Sequence, residues 1–376
     1  LIAGTVMDAF YYSTNGGKNW KSKTITSNYG VNGDPVMLID QKGKYYYFHL
    51  SSPQTFGHHL DRIVCQSSDK ISGDFNQGSY TEPLGTKVQD KHWAVENPLN
   101  GEIYLTWTQF DAYNSDNPED TSHIMFAKSS DQGRSWSKPK RISERGGDCL
   151  DDDNTVEGAV PAVGPNGEIY VAWTGPNGLV FTKSTDGGKT WLEKEIDVAP
   201  HPEGWTIEIP GIYRANGLPI LKCNPFNGDL FLNWADQSNG IDNTDVWISK
   251  STDKGETWSK PIKVNQDNSK RHQFFTWLTI DPITGYLYLV YYDRRDTRDN
   301  ATDVYLSVSK DNGVNFKDYK LSDSSFTPDP TVFFGDYTNI AVYDGVIRPI
   351  WSRMDEGKIS LWVALLKQKQ LDKIDK

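Results

Sequence analysis

Nothing in this 376-residue sequence is long and apolar enough to cross a bilayer as a helix. The longest C-terminal apolar run, ISLWVALL, falls far short of the roughly 20 residues a span needs, so no membrane insertion is expected. Basic runs are missing too: no stretch of Lys or Arg exceeds two residues, and 39 basic against 50 acidic side chains leave a net charge of −11. That lacks the electrostatic footprint of a nucleic-acid binder, and nucleic acid is not an expected partner. Cysteine is scarce, and the odd number formed by Cys65, Cys149 and Cys223 excludes a closed disulfide framework. The cysteines are scattered and no histidine pair has metal-site spacing, so no thiolate or imidazole metal centre is expected. An initiator Met is also missing. The chain opens inside a strand-like run, LIAGTV, and the expectation is that an upstream signal segment has been removed from a secreted, cell-surface or periplasmic protein.

What is present is aromatic and repetitive. Aromatic residues make up 12% of the chain, with 13 Trp and 19 Tyr, alongside abundant Gly, Asn and Asp. This mixture suits short strands joined by tight turns. One phrase recurs: STNGGKNW (13–20), SSDQGRSW (129–136), STDGGKTW (184–191), STDKGETW (251–258) and SKDNGVNF (309–316), with an irregular copy, SSDKISGDF, at 67–75. Successive copies start 54, 62, 55, 67 and 58 residues apart, which marks an array of similar units.

Between the phrases lies a second recurring line, clearest in EGAVPAVGPNGEIYVAWTG (157–175): an apolar run, a Gly-containing turn and a second apolar run. That is the sequence form of a β-hairpin whose first strand is buried. A third strand such as DVWISKS or DVYLSVS then leads into the phrase, and a fourth follows it. Four antiparallel strands cannot bury both faces alone, whereas radial packing of such units does so. The expected fold is therefore all-β, a single β-propeller domain over 1–376, with terminal blade pieces at 1–26 and 335–367 and a tail at 368–376. Seven blades are favoured, the first lacking its inner strand; six would result if the ends interleave. The phrase becomes the turn between strands three and four. Its Ser and Asp cap backbone N–H groups, its Gly takes a positive φ, and its Trp plugs the space between blades.

The pattern S-x-D-x-G-x-x-W resembles the Asp-box, or BNR repeat, of sialidases and related propeller glycoside hydrolases, and the likeness covers nearly the whole chain. The resemblance implies a sialidase-like exo-glycoside hydrolase acting on acidic glycans, with an arginine clamp, a Tyr nucleophile helped by a Glu, and an Asp acid/base. The family's Arg-Ile-Pro string is missing. Its nearest counterpart, Arg62-Ile63-Val64, lies on a third strand, so a standard sialidase is not implied. Asp-boxes also occur in propellers that only bind, which keeps a non-catalytic glycan- or protein-binding role open.

In a propeller the starts of the inner strands converge on one mouth. Reading along the chain, those starts carry Asp34; Asp90 with Lys91 and His92; Glu157; Arg214 with Asn216; Arg271 with His272 and Gln273; and Asp336 with Tyr337. Arg214 and Arg271, with Arg294 or Arg295 as a third, have guanidinium forks suited to an acidic sugar. Tyr337 with Glu157 is expected as nucleophile and base, and Asp336 or Asp34 as the acid. Asp90, His92 and His272 join the substrate-binding set. The histidines also permit a lyase that removes the proton α to a uronate carboxylate. Trp93 and Trp277, with Trp205, could stack on sugar faces or pack between blades. The acidic stretch GDCLDDDNTVEG (147–158) offers Asp151, Asp152 and Asp153 as oxygen ligands for a structural Ca²⁺; no cofactor is otherwise required.

Overall fold

The computed structural model describes residues 1–53, 57–72, 74–202 and 204–374. Gly73 of the irregular phrase and the last two residues of the expected tail lie outside the described residues. The strands form seven antiparallel sheets in chain order. The first holds β1 (Ile2–Gly4), β2 (Ala9–Tyr12) and β3 (Lys21–Thr24). The second holds β4 (Asn32–Ile39), β5 (Tyr45–Leu50), β6 (Ile63–Ser68) and β7 (Ser79–Tyr80). The third holds β8 (Val88–Glu96), β9 (Ile103–Phe110), β10 (Ser122–Ser129) and β11 (Lys140–Arg141). The fourth holds β12 (Glu157–Val163), β13 (Ile169–Gly175), β14 (Gly178–Ser184) and β15 (Ile196–Ala199).

A ribbon of β16 (Thr206–Ile207) and β17 (Ala215–Asn216) precedes the fifth sheet, which holds β18 (Ile220–Cys223), β19 (Leu230–Asp236), β20 (Asp245–Ser251) and β21 (Ile262–Lys263). The sixth holds β22 (Gln273–Ile280), β23 (Leu287–Asp293), β24 (Asp303–Ser309) and β25 (Lys317–Lys320). The seventh holds β26 (Asn339–Tyr343), β27 (Val346–Asp355) and β28 (Lys358–Val363), with β29 (Leu366–Lys367) returning to β27. Seven successive meandering sheets are the blades of a β-propeller. The first repeat phrase falls between the last two strands of a three-stranded sheet, so that blade lacks an inner strand. The two chain ends form separate sheets, as the seven-bladed reading expects. The expected tail is helical, α1 (Gln368–Ile374), with Leu371 buried.

The strands group into two compact units, residues 1–176 with 180–196 and residues 177–179 with 197–376. In the first, each pair of consecutive sheets shares a core. Tyr46, Phe48 and Leu50 of β5 pack with Ile103, Leu105 and Trp107 of β9, whereas Tyr47 between them turns to Phe10 of β2. Tyr104 likewise turns away from its neighbours on β9 to join Ile169, Val171 and Trp173 of β13. Alternate side chains therefore serve opposite neighbours, and a strand buried on both faces loses the apolar/polar alternation of a one-sided sheet. Inner strands β4, β8 and β12 lie side by side. In the second unit, β18, β22 and β26 do the same.

The repeated phrase is a hydrogen-bonded device built the same way five times. The Ser hydroxyl accepts the Gly N–H at 2.8–2.9 Å in Ser13/Gly17, Ser129/Gly133, Ser184/Gly188, Ser251/Gly255 and Ser309/Gly313. It donates to the Asp or Asn two residues on, as Ser251 does to Asp253 Oδ1 at 2.8 Å. That oxygen accepts the backbone N–H four residues ahead, as from Thr257 at 2.9 Å, and the other accepts the Thr257 hydroxyl at 2.6 Å. These bonds hold the Asp253 carboxyl down, at about 2. Gly188 has φ +84°, and an added Cβ would stand 2.5 Å from the Phe126 ring, so the turn needs glycine for both reasons. Trp136 packs edge-on against Phe48, and Trp191 against Phe126, each ring bridging to the preceding sheet. In the irregular copy Phe75 takes this place, against Phe10.

Candidate functional site

Inner strands β4, β8, β12 and β22 each begin with a β-bulge, between Asn32/Val36, Asp90/Trp93, Glu157/Val160 and Phe274/Trp277. Asp34 (φ 43°), Lys91 (φ 48°), Gly158 (φ 73°) and Phe275 (φ 51°) sit in these bulges with left-handed backbone. A bulge inserts a residue and re-aims the side chains around it. Polar residues at strand starts are thereby turned into the fold instead of out to solvent.

In the first unit this collects Asp34, Asp90, Lys91, Asp151 and Glu157. The Lys91 ammonium pairs with the Asp34 carboxylate at 3.7 Å. Asp90 is 8% exposed and accepts the Lys91 N–H at 2.8 Å. Burial pushes the Asp90 carboxyl up to about 8, with Lys91 opposing and Asp34 and Asp151 adding to the rise. Glu157 is 0% exposed, and among the described residues neither of its oxygens has a hydrogen-bond partner. Its carboxyl is raised well above the ordinary value, first by burial and then by Asp151, with Asp90 and Asp34 contributing. At neutral pH the group therefore holds protons beside an ion pair. On its rim, Tyr113 is 38% exposed and donates its hydroxyl to Asp151. Tyr113 was not singled out by sequence; it stands in the loop DAYNSDNPED, whose only evident signal is its acidity.

The metal expectation at Asp151, Asp152 and Asp153 finds no ligand set. Among the described residues no group of three or more His, Cys, Asp or Glu side chains could hold a metal ion. Asp151 is engaged by Tyr113, and Asp152 accepts the Asn154 N–H at 3.3 Å within its own turn. His92, expected at the mouth, is buried, and burial lowers it to about 4, keeping it neutral. Trp93 packs half-buried against the core between the second and third sheets.

In the second unit the expected arginines separate into three environments. Arg295 is held in a carboxylate lattice, with Nε to Asp293 Oδ2 at 2.8 Å and Nη1 to Asp318 Oδ2 at 2.6 Å, so it is structural and not free for a ligand. Arg214 and Asp336 face each other as a two-pronged ion pair, Nε to Oδ1 at 2.9 Å and Nη2 to Oδ2. Both Asp336 oxygens are thus committed, although the Arg214 side chain is 49% exposed and lies 4.8 Å from the Phe333 ring centre. Arg214 and Asn216 do not start an inner strand as expected. They adjoin the β16–β17 ribbon, because Pro219 cannot donate to a ladder and Gly217 runs so close to the Ala235 carbonyl that a Cβ would lie 2.1 Å from it. Tyr337 is half-buried beside Asp336, between an Asn216 bond to the Asp336 carbonyl and a Thr338 bond to the Phe275 carbonyl.

Arg294 and Arg271 form the third environment. Arg294 is 1% exposed; its Nε donates to Thr302 Oγ1 at 3.0 Å and its Nη1 to the Pro210 carbonyl at 2.7 Å. Among the described residues its Nη2 has no hydrogen-bond partner, and neither has Arg271 Nε. Arg271 Nη2 donates to the Asp299 carbonyl at 2.5 Å. Burial and then the Arg271 charge lower Arg294 to about 10, still cationic at neutral pH. His272 lies between them in sequence and space: its carbonyl accepts the Arg294 N–H at 3.1 Å, and its Nδ1 bonds Thr244 Oγ1 at 3.0 Å. Burial, then Arg294 and Arg271, lower the imidazole to about 4. Gln273 turns inward to Asp293 and Asn265. Trp277 and Trp205 are buried, so packing replaces the sugar-platform role open to them in sequence.

The BNR repeat-like domain model matches residues 87–325, and the BNR/Asp-box repeat model matches residues 11–22. The chain belongs to the BNR repeat-like domain family. No curated protein matches it. Among solved structures, this BNR repeat-like chain is similar to the NanB sialidase of Streptococcus pneumoniae, at 11% identity and TM-score 0.54 over 89% of this chain and 67% of that one. It is also similar to an ulvan lyase bound to GlcA(1-4)Rha3S, at 15% identity and TM-score 0.54 over 96% and 86% of the two chains. A protein of unknown function from Dyadobacter fermentans matches at 13% identity and TM-score 0.57 over 91% and 96%. At these identities the likeness establishes the propeller fold.

Proposed function

We propose that this chain is a carbohydrate-active enzyme of glycoside-hydrolase type that works on acidic glycans. The observation that carries the reading is the carboxyl of Asp90, held protonated near neutral pH beside the Asp34–Lys91 ion pair. Glycoside hydrolysis needs two carboxyl groups whose environments drive them to opposite protonation states. Here Asp90 is the proton donor to the glycosidic oxygen as the bond to the anomeric carbon breaks. Asp34 is the ionised partner. Glu157 is fully buried and is itself held protonated, first by that burial and then by Asp151. Membership of a family with Asp-box repeats supports this reading, as do neighbours named as a sialidase and a polysaccharide lyase. The cationic Arg271–Arg294 pair supports an acidic ligand.

The test is turnover across a panel of fluorogenic glycosides and acidic oligosaccharides. Activity is expected to fall as pH rises through about 8, where Asp90 loses its proton, and Asp90→Asn is expected to abolish turnover while leaving glycan binding in place. The sialidase-like form of the reading takes Tyr337 as nucleophile, and loss of sialoside turnover in Tyr337→Phe is its test. Product absorbing as an unsaturated uronate replaces hydrolysis with β-elimination. Binding without any product makes the chain a glycan-capture module.

A further inference from the structure

We infer that β28 is the docking edge for a second copy of this chain, giving a two-fold dimer whose seventh blades join into one continuous sheet. In the other six sheets the third strand is covered by a fourth: β2 by β3, β6 by β7, β10 by β11, β14 by β15, β20 by β21 and β24 by β25. β28 holds the same place in the seventh sheet and pairs only with β27. The difference shows in exposure. β6 and β24 are buried at every position, whereas five of the six β28 residues are exposed. Among these are three large apolar side chains, Ile359 at 42%, Leu361 at 39% and Trp362 at 45%. An open strand edge is normally blunted by shortness, charge or proline. In KISLWV only Lys358 serves that purpose.

The backbone fixes which groups the edge offers. Asp355 pairs with Lys358 across the two-residue turn Glu356-Gly357, whose φ angles are 51° and 74°. Two positive φ values mark a type I′ hairpin turn, whose flanking residues bond each other. Farther along, the Ala364 N–H donates to the Pro349 carbonyl at 3.2 Å. Even-numbered residues therefore bond β27, and the N–H and C=O of Ile359, Leu361 and Val363 point to the open side. Among the described residues no strand meets them there. An antiparallel second copy centred on Leu361 satisfies all of them: Leu361 meets its own counterpart, and Ile359 meets Val363 in both directions. This is the self-complementarity a two-fold interface demands. Charge agrees with the same register. The acidic turn at Glu356 stands at one end of the edge and Lys367 of β29, on the same side of β27, at the other. The two-fold sets the turn of each copy against the lysine of the other. That double match selects a second copy over an unrelated strand.

The experiment is sedimentation velocity of the full chain over a concentration series in the micromolar range, with urea unfolding of each variant as the check on fold. The parent is expected to pass from monomer to dimer. Leu361→Pro removes an N–H that serves no bond within the sheet, a position where an edge strand tolerates proline, and is expected to leave a folded monomer. Leu361→Lys sets two ammonium groups against each other at the two-fold and is expected to do the same, which covers the case of a proline that disturbs the strand. Glu356→Lys and Lys367→Glu are each expected to weaken dimerisation about tenfold, and the two together to restore it. A parent that stays monomeric throughout the series overturns the inference and leaves the edge to a strand from another protein. A dimer that persists in both Leu361 variants overturns it as well, because the contact then lies elsewhere. Dimerisation indifferent to the charge exchange overturns the antiparallel register.

Discussion

Replacing Glu157 by Gln isolates the electrostatic cost of the buried acid group. The side chain is fully buried and its carboxyl is raised well above 4.5, whereas in the unfolded chain it titrates near that ordinary value. The folded protein therefore binds this proton over a pH range in which the unfolded chain has released it. Stability must then fall as pH rises from about 4.5 toward the folded value, at about 1.4 kcal/mol per pH unit for one proton. Glutamine keeps the size and the neutral state and has nothing to titrate. Below pH 4.5 the variant should match the parent, and above it the variant should become progressively the more stable as pH rises toward the folded value. The assay is urea unfolding of both proteins at pH 4.5, 5.5, 6.5 and 7.5, comparing midpoints at matched slopes. A stability difference that stays constant across these values, or one that favours the parent at pH 7, refutes the protonated-Glu157 reading.

Ser251→Ala removes the acceptor for the Gly255 N–H and frees Asp253 from one of its donors, so a loss of about 1–3 kcal/mol is expected in the same unfolding assay. Gly188→Ala imposes a Cβ on a residue at φ +84° facing the Phe126 ring, and should lower stability by about 1–3 kcal/mol with no change in glycan affinity. Arg295→Met leaves the buried Asp293 carboxylate unmatched, for a loss of about 3–5 kcal/mol. Glycan binding is expected to stay intact in whatever fraction remains folded, because Arg295 faces Asp293 and Asp318 instead of a ligand.

The blades were legible because their signals are local and repeated. A Ser, an Asp and a Gly at fixed spacing dictate one turn whatever surrounds them, and five copies fold alike. Blade number followed from where the first phrase falls relative to β2 and β3. Site residues were legible as a set and not one by one. Arg294 and Arg295 are adjacent letters, yet one is enclosed by carboxylates and the other by a hydroxyl and a carbonyl. Both follow the end of β23 in a turn, and what stands around each is decided by distant segments, Asp318 in one case and Pro210 in the other. The Arg214–Asp336 pair joins residues 122 positions apart, a relation no spacing rule reads. For the aromatic residues the sequence left two roles open, sugar platform or packing between blades, and burial of Trp277 and Trp205 favours packing.

The same geometry explains why strain and buried charge gather at the starts of the inner strands. Lys91 and Phe275 hold left-handed backbone there, at about 1–3 kcal/mol each, and Asp90 and Glu157 hold protons that water would release. None of this helps the sheets pair; each bulge interrupts its ladder. Stability comes instead from the cores between blades and from turns whose Ser, Asp and Gly satisfy one another locally, far along each sheet from the bulges. A perturbation at the turns should therefore move stability and leave the proton chemistry alone. A perturbation at the bulges should move the proton chemistry, and relaxing one should stabilise the fold as well. Lys91→Gly tests this at a single position: glycine takes φ 48° without strain but removes the counter-ion of Asp34. With the ammonium gone, the charge that opposes the rise at Asp90 is lost, so the alkaline limb of turnover should shift upward from about 8. An unmoved limb would detach Asp90 from the reaction.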